Sequence, residues 1–310
     1  MKDAINFVKG AVAKNDAVPI LTHIHVYDGR IQASNGKLCI DTPCVDFAGY
    51  NFTTQVKDFV MAIEACASEP IISVKNDTLT VKSGKFKANF KMLPEEYPLM
   101  SIDTSSIIKP DIKILQTIKT LLPFVSTDSN RPWSCGILFD GDNAYATNSV
   151  VMITTKTTNL GLFNLSAACA NELVRIGKEP VGVSVDEHHI TFIYDDGSWI
   201  RANNLSTSWP DVSHFIPQSV DGVQITDEIK KDVNLVSMFA KNNKVHLGKT
   251  ISTTDNETAI ENYDFPDCYF GADNINLVLQ VADNIELSSY PKPCAFAGER
   301  VKGVIIGVLP

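Results

Sequence analysis

The sequence predicts an α+β fold built from one module of about 100 residues used three times. Three observations carry that reading. Two strand-and-turn patterns recur in the same order at nearly the same offset, and six amphipathic helical windows stand among many short strands. The first two copies each close on an aromatic residue followed by proline, Tyr97-Pro98 and Trp209-Pro210.

The first recurrence pairs Asp28–Gly36, DGRIQASNG, with Asp140–Ser149, DGDNAYATNS. Both join an Asp-Gly turn to a strand of small and polar residues ending at Asn-Gly or Asn-Ser. The second pairs Ser73–Met100 with Ser184–Val212, each reading strand, polar turn, strand, turn at Ser-Gly or Asp-Gly, strand. Asp28 leads to Asp140 and Ser73 to Ser184, offsets of 112 and 111 residues. Chance matches of short strands are common, but two in one order at one spacing mark a repeat. A fainter third copy has a helical pattern over Ile225–Asn242, strands over Lys244–Thr253 and Ala259–Phe270, and strand, turn, strand over 284–310. The copies therefore run 1–105, 106–217 and 218–310.

Each copy offers two helices. Asp3–Lys14 places Ile5, Val8 and Val12 on one face, and Thr53–Cys66 does the same with Phe59, Ile63 and Cys66, Thr54 serving as N-cap. In the second copy Asp111–Leu122 buries Ile112, Leu115 and Leu122, and Ser166–Ile176 is its companion. In the third, Ile229, Val233, Val236 and Ala240 form one stripe, and Asp273–Val281 is the sixth window. Six helices among many strands predict sheets that each carry one layer of helices.

Composition removes whole classes of function. With 310 residues, 44% hydrophobic and 20% charged, the chain is an ordinary folded protein, and a net charge of -9 excludes a bulk basic nucleic-acid binder. No apolar run reaches the length of a membrane span and the start has no apolar signal region, so the expected place is the cytoplasm, with no membrane partner. Seven scattered cysteines (39, 44, 66, 135, 169, 268 and 294) form no CxxC pair, which predicts reduced thiols and no structural zinc.

Catalytic motifs are missing as well. There is no GxxxxGK[ST], GxGxxG after a strand, GxSxG or HExxH. His23 and His25 share one face of a strand and read as polar surface. His188-His189 and Asp195-Asp196-Gly197 read as hairpin turns, and Asp140-Gly141-Asp142 lacks the other ligands of a calcium loop. The expectation is a protein that is not an enzyme, with no catalytic residues, cofactor or metal.

Two charge patterns stand out. Lysines gather on or beside the first helix of each copy: Lys2, Lys9 and Lys14, then Lys109, Lys113 and Lys119, then Lys230, Lys231 and Lys241. The bland reading is solvated helix faces. The sharper one is a basic surface on an acidic protein, attracting phosphate backbones without reading bases. The last hairpin of the first copy carries Lys82, Lys85, Lys87 and Lys91, whereas the region before the last helix of the third carries Glu257, Glu261, Asp264 and Asp267. These are either exposed edges blunted by charge or complementary edges of two copies meeting head to tail.

With those features in place, the chain resembles the bacterial-type beta sliding clamp, the processivity ring of replicative DNA polymerases. Ala13–Leu21, AKNDAVPIL, resembles the family's turn after the first helix, and Leu93–Pro98, LPEEYP, its domain-one ending. RPWSCGILF (131–139) with AYATNSVVM (144–152) is similar to its domain-two hairpin, and WPDVSHFIP (209–217) to its linker into domain three. VIIGVLP (304–310) stands where the family has a short apolar tail. The chain departs from the family at Ser149-Val150-Val151, where Gly-His-Arg is usual, and at Leu309, where Arg is usual. Such departures fit a divergent member, of bacterial or phage origin, with an altered peptide preference.

The resemblance implies a homodimeric ring of six similar domains, with sheets outside and two helices per domain inside. Duplex DNA passes through without sequence readout, facing Lys2, Lys9, Lys14, Lys113, Arg131, Trp133, Arg175, Lys230 and Lys241; a core position for Trp133 stays equally open. The implied partner pocket, which takes a short hydrophobic peptide from the replicative polymerase and the clamp loader, comprises Thr147, Met152, Pro210, Phe215, Ile306, Val308 and Leu309. Lys85, Lys87 and Lys91 of one chain would meet Glu261 and Asp264 of the next. The rival readings are a trimeric clamp of two-domain subunits, a β-rich tail or capsid protein assembled through its charged edges, and an unrecognised hydrolase.

Overall fold

The computed structural model describes residues 1–14, 18–93, 95–205, 208–255 and 257–310. Part of the motif at 13–21 (residues 15–17) and residue 94 of the motif at 93–98 lie outside the described residues.

The chain runs helix, four strands, helix, three strands, and does so three times. The first pass comprises α1 (Lys2–Val8), β1 (His23–Tyr27), β2 (Arg30–Ser34), β3 (Leu38–Pro43), β4 (Phe52–Gln55), α2 (Val56–Glu64), β5 (Ile71–Lys75), β6 (Thr78–Ser83) and β7 (Phe86–Lys91). The second comprises α3 (Ile114–Leu121), β8 (Gly136–Asp140), β9 (Asn143–Thr147), β10 (Val151–Lys156), β11 (Phe163–Ser166), α4 (Ala167–Ile176), β12 (Gly182–Val185), β13 (His189–Ile193) and β14 (Trp199–Asn203). A two-residue strand, β15 (Val223–Gln224), precedes the third: α5 (Asp227–Ser237), β16 (Lys244–Leu247), β17 (Thr250–Thr253), β18 (Ala259–Glu261), β19 (Cys268–Gly271), α6 (Ala272–Val281), β20 (Asn284–Ile285), β21 (Cys294–Ala297) and β22 (Val301–Ile305).

Compact packing cuts across these passes. One unit holds residues 1–110 and 172–204, the other 111–171 and 205–310. The cause is strand pairing. In the first unit, β1–β4 of the first pass and β12–β14 of the second share an antiparallel sheet ordered β12-β13-β14-β3-β2-β1-β4. In the second unit, β8–β11 and β20–β22 share one ordered β11-β8-β9-β10-β22-β21-β20-β15. Each seam joins the third strand of one pass's four-strand set to the last strand of the following pass's three-strand set. Two sets remain by themselves, β5-β6-β7 in the first unit and β18-β17-β16-β19 in the second, so β7 and β18 are open edges.

The hydrophobic pattern explains the cores. In the first unit Ile5 and Val8 of α1 lie buried over β2 and β3, where Ile31, Ala33 and Ile40 are buried. Rings at Phe52, Phe59 and Phe90 pack in sequence at 5.8 and 6.3 Å, tying α2 to β7. In the second unit α3 packs on β9 and β10, and Phe139 stacks on Phe163 at 4.5 Å between β8 and β11. α5 begins at Thr226, whose hydroxyl accepts from the Ile229 amide at 3.3 Å, with Asp227 and Glu228 in the positive first turn.

Four expectations are corrected in detail. α1 stops at Val8 because Gly10 follows, a weak helix former, with the Glu172 carboxylate filling the place of its missing side chain. Thr54 does not cap α2: Thr53 and Thr54 are buried in β4, opposite His25 and Ile24 of β1. The buried stripe of α3 is Ile114, Leu115, Ile118 and Leu121, one step from the expected one, since the helix starts only at Ile114. The Asp-Gly turns also differ in kind. Asp28 and Gly29 both have positive φ (44° and 71°), as a type I′ turn needs. In the second hairpin Gly141 takes the first turn position at φ 57°, and the strands pair one residue later relative to Asp-Gly.

Candidate functional site

The β10·β22 seam builds the main candidate. Antiparallel register sets Thr147 opposite Met152 and Met152 opposite Val304, a row of three across β9, β10 and β22. The tail continues the pairing, because the Ile306 amide donates to the Val150 carbonyl at 2.9 Å. The β9–β10 turn is held by its own side chains. Asn148 Oδ1 accepts from the amides of Val150 and Val151, and the Thr147 hydroxyl donates to the Val151 carbonyl at 2.8 Å. Ser149 sits at φ 74°, a left-handed position that glycine adopts without strain.

Around this row lies an apolar cavity of about 170 Å³. Of the expected pocket residues, Thr147, Met152, Phe215 and Ile306 line it. Pro210, Val308 and Leu309 do not. Pro210 is exposed, and the carbonyls of Val308 and Leu309 accept from the Tyr290 hydroxyl and Lys244 Nζ, which fastens the tail elsewhere. The wall also includes Val151, Val212, Pro293 and Val304. Only register joins Val304 to Met152, and no local pattern marks it. Trp133, for which a DNA-facing loop and a core position stood equally open, lines the same cavity and stands edge-on to Trp209 at 5.1 Å, so its indole serves the apolar wall. Neighbouring Arg131 remains exposed and donates to the Ser149 hydroxyl at 3.0 Å.

The other basic residues separate into free and engaged groups. Lys2, Lys14 and Lys113 are exposed, as is Lys9, which bonds Asn6 Oδ1 of its own helix. Lys230 borders a cavity of about 320 Å³ between α5 and α6 and lies 4.0 Å from Asp227 of its own helix, and Lys241 meets Glu257 at 2.5 Å with both side chains largely in solvent. Arg175 is engaged. Its guanidinium bonds Glu172 at 2.6 Å and the carbonyls of Asn6 and Phe7 at 2.8 Å each, capping the last turn of α1. On the open edges, Lys87 and Lys91 project from β7, with Lys85 in the turn before it, and Glu261 ends β18 with Asp264 three residues on. All five side chains are exposed.

His23 and His25 are corrected from polar surface to packed residues. Burial pushes the pKa of both below the usual histidine value. His25 stacks between Tyr27 and Tyr97 at 5.5 and 5.1 Å, which is where the first aromatic-Pro element docks. Burial likewise lifts the thiols of Cys39 and Cys268 to about 12 and that of Cys294 to about 11, so all three stay protonated.

No family model and no curated protein sequence matches the chain. Solved structures do. The DNA polymerase sliding clamp of Bacillus subtilis superposes with a TM-score of 0.83 at 19% identity, covering 100% of this chain and 97% of that one. The beta clamp of Helicobacter pylori, solved bound to a DNA ligase peptide, gives 0.82 at 16% with the same coverage. The DNA polymerase III beta subunit of Thermotoga maritima gives 0.81 at 15%, again with the same coverage. The fold is that of the bacterial beta sliding clamp. Within this clamp fold, the described residues contain no group of three or more His, Cys, Asp or Glu side chains able to hold a metal ion. No described helix is long and apolar enough to cross a membrane.

Proposed function

We propose that the chain is a DNA sliding clamp: a non-catalytic tether that encircles duplex DNA and holds a replicative polymerase to it. The open edges carry this reading. Twice within the chain, the last strand of a three-strand set pairs with the third strand of a four-strand set: β14 with β3, and β22 with β10. One such pair is left unmade, β7 with β18, and its two members are the free edges that bear opposite charge. Supplied by two copies head to tail, that third seam is made twice and closes a ring, with Lys85, Lys87 and Lys91 against Glu261 and Asp264.

Each chain then contributes three domains, 1–105, 106–217 and 218–310. Lys2, Lys9, Lys14, Lys113, Arg131, Lys230 and Lys241 supply sequence-independent attraction to phosphates, with Arg175 in a supporting position. The apolar cavity takes a short hydrophobic peptide of the polymerase and clamp loader, as the DNA ligase peptide bound to the Helicobacter clamp suggests. The setting is the cytoplasm of a bacterium or of a phage-infected host.

Sedimentation equilibrium and DNA retention test the reading together. A dimer that stays on nicked circular DNA after loading but leaves linear DNA with free ends supports it. A monomer, or equal loss from both DNAs, ends it. Lys87→Glu with Lys91→Glu should shift the dimer toward monomer, and Glu261→Lys with Asp264→Lys on the other edge should restore it.

A further inference from the structure

A second cavity, of about 550 Å³, lies further along the same two strands. Met152 and Val304 border the apolar cavity, and the next pair on that face, Thr154 and Lys302, borders this one. Alternate residues of a strand share a face and stand about 7 Å apart. One linker also serves both, with Phe215 against the first cavity and Gln218 against the second.

The second cavity is basic. Lys156, Arg300 and Lys302 line it against the single carboxylate of Glu299, and no ion pair engages any of the four among the described residues. Lys302 Nζ donates to the Gln218 carbonyl at 2.6 Å. Thr157, also in the wall, is 8% exposed, and its hydroxyl has no hydrogen-bond partner. A buried hydroxyl and three cations that no described carboxylate neutralises fit a polar, anionic occupant.

The first unit shows what belongs at this place in a seam. Asp41 is the fourth residue of β3, as Thr154 is of β10, and Arg30 opens β2 as Asn143 opens β9. There the fully buried Asp41 carboxylate accepts from the Tyr27 hydroxyl at 2.6 Å, Arg30 Nε at 2.7 Å and Gln32 Nε2 at 3.1 Å. The second unit has a threonine there, cations around it and open space.

We propose that the basic cavity takes an Asp or Glu side chain of the segment whose apolar residues fill the neighbouring pocket. It rests on the peptide-docking reading and narrows it to a peptide that combines large apolar residues with a carboxylate. Thr154 and Lys302 lie two residues beyond Met152 and Val304, and Lys156 four beyond Met152. An extended peptide has the same rise per residue, so its carboxylate stands two to four residues from its apolar anchor.

A random dodecapeptide library selected on the purified protein tests this, with Lys156→Glu/Arg300→Glu and Phe215→Ala variants alongside. Both altered cations are exposed, so the fold is expected to hold, and circular dichroism confirms it before selection. The wild type should enrich peptides pairing large apolar residues with Asp or Glu at that spacing. Changing those acids to Asn or Gln should weaken binding about tenfold on the wild type and leave it unchanged on the charge variant. Raising salt to 0.5 M should erase the difference. Peptides that depend on Phe215 but show no acidic preference overturn the proposal and leave the docking reading standing. Enriched peptides indifferent to Phe215, or no enrichment, end both. Inorganic phosphate displacing the acidic peptides while sparing their Asn/Gln twins supports the carboxylate subsite. Phosphate binding more tightly than any peptide assigns the cavity to a free anion and overturns it.

Discussion

The two seams have one topology and opposite interiors. At β3·β14 the Asp41 network is sealed, because Gln32 also donates to the Met100 carbonyl at 2.8 Å and accepts from its amide at 2.7 Å. The linker residue Tyr97 is buried against His25, and Thr42 bonds Ser198 across the seam at 2.8 Å. At β10·β22 the corresponding linker leaves Phe215 47% exposed beside an open apolar cavity, and beyond it Lys156, Arg300 and Lys302 line a cavity of about 550 Å³. A strand arrangement that serves as a joint in one unit is free to serve as a groove in the other. The filling of the seam decides between them, and the strands do not.

The comparison breaks most directly at its buried charge. Asp41→Ala strands Arg30, Tyr27 and Gln32 and should cost about 3 kcal/mol. Thr154→Ala, at the same seam position, loses one hydroxyl bond to the Ala144 carbonyl and should cost about 1 kcal/mol. Urea unfolding gives the totals, and hydrogen exchange of peptides from β3 and β10 assigns each loss to its seam. Equal costs would mean the two seams do the same structural work.

The linker aromatics separate the seams in a second way. Tyr97→Ala should destabilise by about 3 kcal/mol, as expected for a buried aromatic. Phe215→Ala should stay within about 0.5 kcal/mol of wild type, as an exposed residue does. In peptide binding the order reverses. Phe215→Ala should lose about tenfold in affinity, measured by fluorescence anisotropy, whereas Tyr97→Ala should change nothing in the protein that remains folded.

A smaller effect sits in the β9–β10 turn. Ser149→Gly relieves a left-handed serine at the loss of the exposed bond to Arg131 and should gain about 0.5 kcal/mol. A loss would show that the Arg131 bond outweighs the backbone strain.

Local signals account for what the sequence discloses. The six described helices and the hairpins follow from periodicity and turn residues, and even the I′ turn is written in Asp28-Gly29. Thr147, Met152, Phe215 and Ile306 came through a family resemblance and meet in one cavity. Contacts set by register at long range stayed hidden. Nothing near Thr154 announces Lys302, and nothing near Arg175 announces the carbonyls of α1 that occupy it. The two positions left open for Trp133 show the same limit: a core place and a DNA-facing one are told apart only by the long-range contact with Trp209 at 5.1 Å.

The gentlest test is acid. His23 and His25 both belong to the first unit, and burial holds the pKa of each below its unfolded value near 6.5. For His23, the Pro19 carbonyl and Glu95 push the other way without prevailing. A histidine with a depressed folded pKa binds fewer protons folded than unfolded. Its contribution is therefore present in full above about 6.5 and is lost as pH falls through the lower folded value. Thermal unfolding should show the first unit weakening from pH 7 toward pH 5, with hydrogen exchange rising in β1 and β4. His25→Gln keeps a polar group near Thr53, whose hydroxyl lies 2.9 Å from His25 Nδ1, while removing the titration. The variant should flatten the slope, and an unchanged slope would move the acid sensitivity to groups outside the Tyr27–His25–Tyr97 stack.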